Sequence, residues 1–182
     1  MIINKFLIIF LLVFNYLIFS SATADQSDPR LDELFLNVKD SQNELSSSVY
    51  IASIWKIWSE TNDPKSQQLY NLGNQLLKQR KYDQSLIVFN QLIINKPDFA
   101  EGWNKRATLH FLMGNFNDSI KDIDKTLDLE PRHFGALDGL GQIQFKLNNF
   151  SESIQTYERL LAIVPHSSSA KKMLKLLNAQ FI

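Results

Sequence analysis

Cysteine is absent from the 182 residues, which excludes disulfides, thiol nucleophiles and thiolate metal sites together. Net charge is absent as well: 19 Lys and Arg balance 19 Asp and Glu, so no bulk field draws the chain onto a phosphate backbone. Nucleic acid is therefore not an expected partner. Histidine is scarce, and His110, His133 and His166 show none of the paired spacings that build a zinc centre. Neither a nucleophile elbow nor a phosphate-binding loop occurs. The sequence offers no catalytic residue, metal ligand or cofactor site, and no small-molecule substrate is expected. What remains is a chain 45% hydrophobic and 21% charged, long enough for one domain that buries a core and too short for two large ones.

The one long apolar run lies at the start. Lys5 precedes the stretch Phe6 to Phe19, interrupted by Asn15, and Ala22-Thr23-Ala24 supplies small residues in a cleavage-like pattern. This order predicts an export signal over residues 1–24, with a mature start at Asp25. The expected location is outside the cytoplasm, periplasmic where the cell has an outer membrane. The alternative is a membrane anchor over residues 2–19, and only then is the membrane a partner. Asp25 to Pro29 reads as a polar connector.

Prolines are few, yet Pro97, Pro131 and Pro165 stand 34 residues apart, a period typical of stacked repeats. Laid over one another, segments 66–99, 100–133 and 134–167 share columns. Leu69, Trp103 and Leu137 align, as do Gly73, Ala107 and Gly141, and Tyr82, Phe116 and Phe150. Ser85, Ser119 and Ser153 form a second small column, suited to helices that cross closely. Gly114 and Asn148 punctuate the middle of two segments as residues tolerant of a left-handed backbone. Asn115 and Asn149 then follow as candidate caps, with Asp118 and Glu152 three residues on. Each segment is thus two helices, closed by its proline. Asp63-Pro64 opens the first segment, and Asp98 with Glu101 is expected to form a capping box for the second.

These columns resemble the tetratricopeptide repeat family. The resemblance implies an all-α, right-handed solenoid of helix-turn-helix repeats with helical caps, acting as a scaffold for other proteins. Residues 25–65 are expected to be the linker and a degenerate helical pair, Pro29 to Lys39 and Glu44 to Glu60, capping the first repeat. Residues 168–182 are expected to form the C-terminal capping helix, Ser168 to Ala179, giving nine helices in the mature chain.

The resemblance also implies a concave groove lined by the first helix of each repeat. The inward positions are Gln67, Tyr70, Asn71, Asn74 and Leu77 in the first repeat. In the second they are Glu101, Asn104, Lys105, Thr108 and Phe111, and in the third Gly135, Asp138, Gly139, Gln142 and Phe145. Amides at these places suit an extended peptide, whose backbone they meet with both a donor and an acceptor. One family variant grips a C-terminal carboxylate with Lys, Asn and Arg side chains. The matching places here hold Tyr70, Asn74, Lys105, Gly135 and Gly139, and only Asn74 agrees.

Arg132, His133 and Lys105 are expected to form a basic rim beside a bare floor at Gly135 and Gly139, with His133 and His166 exposed in turns. Arg106 stands where the family carries Leu and requires a carboxylate, with Glu130, Asp122 and Asp124 as candidates. The expected function is a non-catalytic, peptide-binding adaptor of the cell envelope. The alternative is an assembly subunit whose partners dock on the caps or the convex face, with Trp55 and Trp58 as an exposed patch.

Overall fold

The computed structural model describes residues 25–179; the expected signal or anchor lies outside them. Among the described residues there are nine helices and no strand: α1 Arg30–Asp40, α2 Glu44–Trp58, α3 Pro64–Lys78, α4 Tyr82–Asn95, α5 Ala100–Leu112, α6 Phe116–Leu129, α7 Phe134–Lys146, α8 Phe150–Ile163 and α9 Ser168–Ala179. None is long and apolar enough to cross a membrane.

The pairs α3/α4, α5/α6 and α7/α8 are the repeat units. Their turns carry the one backbone feature that such a tight return demands, a left-handed residue at equivalent places: Arg80, Gly114 and Asn148, with φ of 58°, 78° and 61°. The small columns meet at the crossing. A Cβ added to Gly73 would lie 2.5 Å from the Phe89 ring, and one added to Gly141 would lie 2.7 Å from that of Tyr157. The serine column has a purpose beyond smallness. Ser85, Ser119 and Ser153 each donate from Oγ to the carbonyl of Gly73, Ala107 and Gly141, at 2.9, 2.8 and 2.8 Å, fixing the two helices of a repeat in register.

Helix starts follow chemistry more loosely than expected. Asp63 caps α3, accepting from the Ser66 amide at 2.8 Å with Pro64 next to it. Asn115 and Asn149 make no side-chain cap bond. The Asp98–Glu101 box does not form either, because Glu101 turns inward. Gln26 takes over that end of α5: its Oε1 accepts from the Ala100 amide at 3.2 Å, and its Nε2 donates to the Asp98 carbonyl.

The N-terminal pair departs from expectation. Instead of capping the first repeat, it straps the edge where the repeats turn into one another. Asp25 pairs with Lys96 at 3.8 Å, Asp32 with Arg132 at 2.7 Å, the Ser41 carbonyl accepts from His166 Nε2 at 2.7 Å, and Glu44 accepts from Ser168 at 2.6 Å. The strap therefore touches the turns before α5, α7 and α9 in succession. The largest apolar cluster lies beneath it, where Phe35, Ile54 and Trp58 pack with Phe134, Leu137 and Tyr157. Smaller clusters fill α3–α5 around Phe89 and Phe99, and α5–α7 around Ile123 and Ile143. Ala170 and Leu177 of α9 are fully buried in the large cluster.

Candidate functional site

Helix α3 packs on α5 and α5 on α7, which sets the first helices on the inside of the curve. Three cavities follow one another there. Between α3 and α5, Tyr70, Asn74 and Lys105 help to line about 600 Å³. Between α5 and α7, Asn104, Thr108, Phe111, Gly135, Asp138, Gly139 and Gln142 line about 270 Å³. Between α7 and α9, Asp138, Gln142 and Phe145 border about 330 Å³ with Tyr157 and Met173. Of the fifteen inward positions, twelve border this row, while Gln67, Leu77 and Glu101 lie outside it; of the rim residues, Lys105 borders it. Arg132 and His133 do not.

The first two cavities are separated by an arrangement that sequence columns do not show. Glu101, 1% exposed, gathers four donors. His133 Nε2 lies 3.0 Å from its Oε2, Asn104 Nδ2 2.8 Å away, the Tyr70 hydroxyl 3.3 Å from Oε1 and Lys105 Nζ 3.0 Å. His133 Nδ1 accepts from the Ala136 amide at 3.1 Å and so caps α7. That acceptor role leaves the ring proton on Nε2, aimed at Glu101. Burial pushes the Glu101 carboxyl up, but the His133 bond, the Lys105 charge and the Asn104 amide outweigh it and hold the group below its ordinary value. Burial and the nearby Glu101 charge push the Tyr70 phenol far above its ordinary value.

Two tryptophans close the network. Trp58, 1% exposed, stacks on the His133 ring at 4.2 Å and 10°. Trp55 meets the same ring edge-on at 5.5 Å, with Lys105 Nζ 5.7 Å from its own ring centre. The expected exposed docking patch is therefore a lid: Trp58 is buried and Trp55 half-buried. Gly135 is not bare floor, because a Cβ there would lie 2.6 Å from Trp55. Gly139 is open, with only Ile123 Cδ1 at 3.6 Å.

The basic rim is likewise replaced by pairing. Arg132 lies on Glu130, Nε to Oε1 at 2.9 Å, reaches Asp32 with its other arm, and stands 4.3 Å over the Phe35 ring. His133 is fully buried and His166 is bonded to Ser41, so neither is a free surface histidine. Arg106 chooses Asp122 among its candidates, with two bonds of 2.7 and 2.5 Å and a third to Asn90 at 2.8 Å. Its charge is paired inside the second repeat, α5 to α6, and only the Asn90 bond crosses to the first. The signal for the missed lid was present in Trp55 and Trp58, three apart and thus on one helix face, but the partner of that face lay far along the chain.

No group of His, Asp and Glu suited to a metal ion occurs among the described residues. The family model for the tetratricopeptide repeat matches residues 104–168. A TPR repeat-containing protein of Rhizobium etli is 32% identical over 148 residues, covering 81% of this chain and 72% of that protein. Hsp70-Hsp90 organizing protein 1 of Glycine max is 23% identical over 151 residues, an alignment that spans 24% of the soybean protein. Among solved structures, the first TPR of Spaghetti (RPAP3) bound to an HSP90 peptide aligns with a TM-score of 0.62 at 24% identity, over 64% of this chain and 93% of that one. This last likeness is one of fold.

Proposed function

Since the chain belongs to the tetratricopeptide repeat family, we propose that it is a non-catalytic adaptor holding an extended segment of another protein against its inner face. The observation that carries this reading is the row of cavities along α5, α7 and α9, lined by amide, aromatic and glycine positions. Amides meet a peptide backbone in both senses, and the open backbone at Gly139 lets it lie close. The lid restricts the usable groove to the side of Thr108, Phe111, Gln142 and Phe145.

The soybean relative and the Spaghetti domain carry Hsp70, Hsp90 or an HSP90 peptide in their names, but a carboxylate-gripping set is not supported here. Lys105 is committed to Glu101 and Gly135 lies under Trp55. The adaptor is proposed to act outside the cytoplasm, on the strength of Lys5, the apolar run and Ala22-Thr23-Ala24. Intact mass of the native protein tests that part, with a chain that retains residues 1–24 as the refuting result.

For the groove, peptides selected from a displayed random library on the full chain are titrated calorimetrically against wild type and Gly139→Met. The new side chain fills the central cavity without disturbing the lid. Affinity is expected to fall by roughly tenfold or more. A library that yields no binder, or binders indifferent to Gly139→Met, refutes the groove.

A further inference from the structure

Helix α2 carries charge only at its two ends. Between Glu44 and Lys56, residues 45–55 hold no charged side chain, and the helix is apolar on two opposite sides. One side, with Ile54, Ile57 and Trp58, is buried in the large cluster shared with the repeats. The other faces water: Leu45 is 82% and Val49 64% exposed, and the exposed Ala52 and Lys56 continue the same line. A helix apolar all round is ordinarily covered all round.

The spacing of that outer line is the spacing of a seam between helices. Leu45, Val49, Ala52 and Lys56 follow one another by four, three and four residues, the interval at which one helix meets another along its length. Small residues flank the line. Ser48 and Ser53 turn their hydroxyls back to the carbonyls of Leu45 and Val49, at 2.7 and 3.1 Å, so these polar groups are satisfied without water and a neighbouring helix can come close. The exposed isoleucines of α4 make no such surface, because Gln84 and Gln91 alternate with Ile87 and Ile94 along their line.

We propose that the outer line of α2 is an interface with a second copy of this chain, α2 packing antiparallel on α2. In that arrangement Leu45 meets the other copy's Lys56 and Val49 meets its Ala52. Large side chains then face small ones, the lysine stem covers the leucine, and its ammonium comes near the other copy's Glu44. Parallel pairing would set lysine against lysine and glutamate against glutamate. Charge complementarity therefore selects a copy of the same helix and fixes its direction. The seam is about 16 Å long, shorter than a standard interface, so the dissociation constant is expected on the order of 10 µM. It lies on the side of α2 opposite the one packed on the repeats, and on the groove reading each pair would carry two grooves.

The test is sedimentation velocity on the full chain over about 1 to 200 µM, in one mild detergent that treats the apolar run of residues 6–19 alike in every sample. Wild type is expected to pass from monomer to dimer across this range. Val49→Glu, at an exposed position, is expected to weaken the dimer by roughly tenfold or more at an unchanged melting temperature. Direction is read by cross-linking, since the chain has no cysteine of its own. Leu45→Cys and Lys56→Cys, each oxidised alone, are expected to give no disulfide, the like sites lying about 16 Å apart, whereas a mixture of the two is expected to give a covalent dimer. Wild type that stays monomeric to the top of the range, a dimer indifferent to Val49→Glu, or either cysteine variant cross-linking to itself in preference to the mixture overturns the proposal. Gly139→Met, which fills the groove, is expected to leave the dimer intact, so failure of the groove and failure of the pairing are separate results.

Discussion

Gly139 and Gly141 lie two residues apart on α7, and alanine at each should move stability in opposite directions. In a helix interior glycine is worse than alanine by about 1 kcal/mol. At Gly139 the added Cβ finds only Ile123 Cδ1 at 3.6 Å, ordinary van der Waals contact, so the propensity gain survives almost whole. Gly139→Ala should stabilise by about 0.5 to 1 kcal/mol. At Gly141 the Cβ would lie 2.7, 2.8 and 3.1 Å from three atoms of the Tyr157 ring. That ring is fully buried among core side chains and cannot swing aside, so overpacking of about 1 to 3 kcal/mol applies. Subtracting the propensity gain leaves a net loss of up to about 2 kcal/mol. For a chain of this size each kcal/mol moves the melting temperature by about 2 to 4 °C. Thermal and urea melts of both variants, followed by helical circular dichroism, read the pair directly. If Gly141→Ala melts at or above Gly139→Ala, the claim that the small column marks a close helix crossing is wrong.

Arg106→Ala leaves Asp122, whose side chain is 3% exposed, without its guanidinium. A loss of about 3 to 5 kcal/mol in urea unfolding is expected, most of it recovered in Arg106→Met with Asp122→Leu; equal losses in the single and double variants would contradict the pairing. Trp58→Ala should cost about 3 to 5 kcal/mol and open the Ser59–Asp63 link to protease before the repeats are cut, and a digestion pattern like the wild type's would count against the lid. Because the folded Glu101 carboxyl sits below its ordinary 4.5, it holds a proton less readily folded than unfolded. Its contribution is full above that ordinary value and is lost as pH falls through the lowered one. Urea midpoints of Glu101→Gln, taken from about pH 6 down to about pH 3, should therefore decline less on acidification than those of wild type.

The repeats were legible because every column reports a local rule. Gly73, Ala107 and Gly141 must be small where helices cross, and the serine twelve residues on must reach their carbonyls. Repetition made each rule visible three times. The strap obeys no such period. Asp32 meets Arg132 and Ser41 meets His166 across stretches with no recurring spacing, so its docking left no mark that alignment of the chain with itself could find. His133 was misplaced for a related reason. A turn between repeats is normally at the surface, and the packing of Trp58 and Trp55 upon it reverses that. Gly135 then changed from open floor to the seat of Trp55. Thr108, Phe111, Gly139 and Gln142, whose placement depends on repeat register alone, line one cavity as their columns predict.

A row of repeats joined only to its neighbours can fray from either end, one unit at a time. The strap removes that freedom. Glu44 is bonded to Ser168 and Ser41 to His166, 124 and 125 residues along, so the first of the described helices close on the last. Of the described helices the N-terminal pair is made first, yet Trp58, Phe35 and Ile54 lack their partners Phe134, Leu137 and Tyr157 until α7 and α8 exist. The part made first docks last, and such distant pairing is slow to form. Loss of the C-terminal helices would accordingly be felt at the opposite terminus, where the hairpin would come away and carry its tryptophans into water.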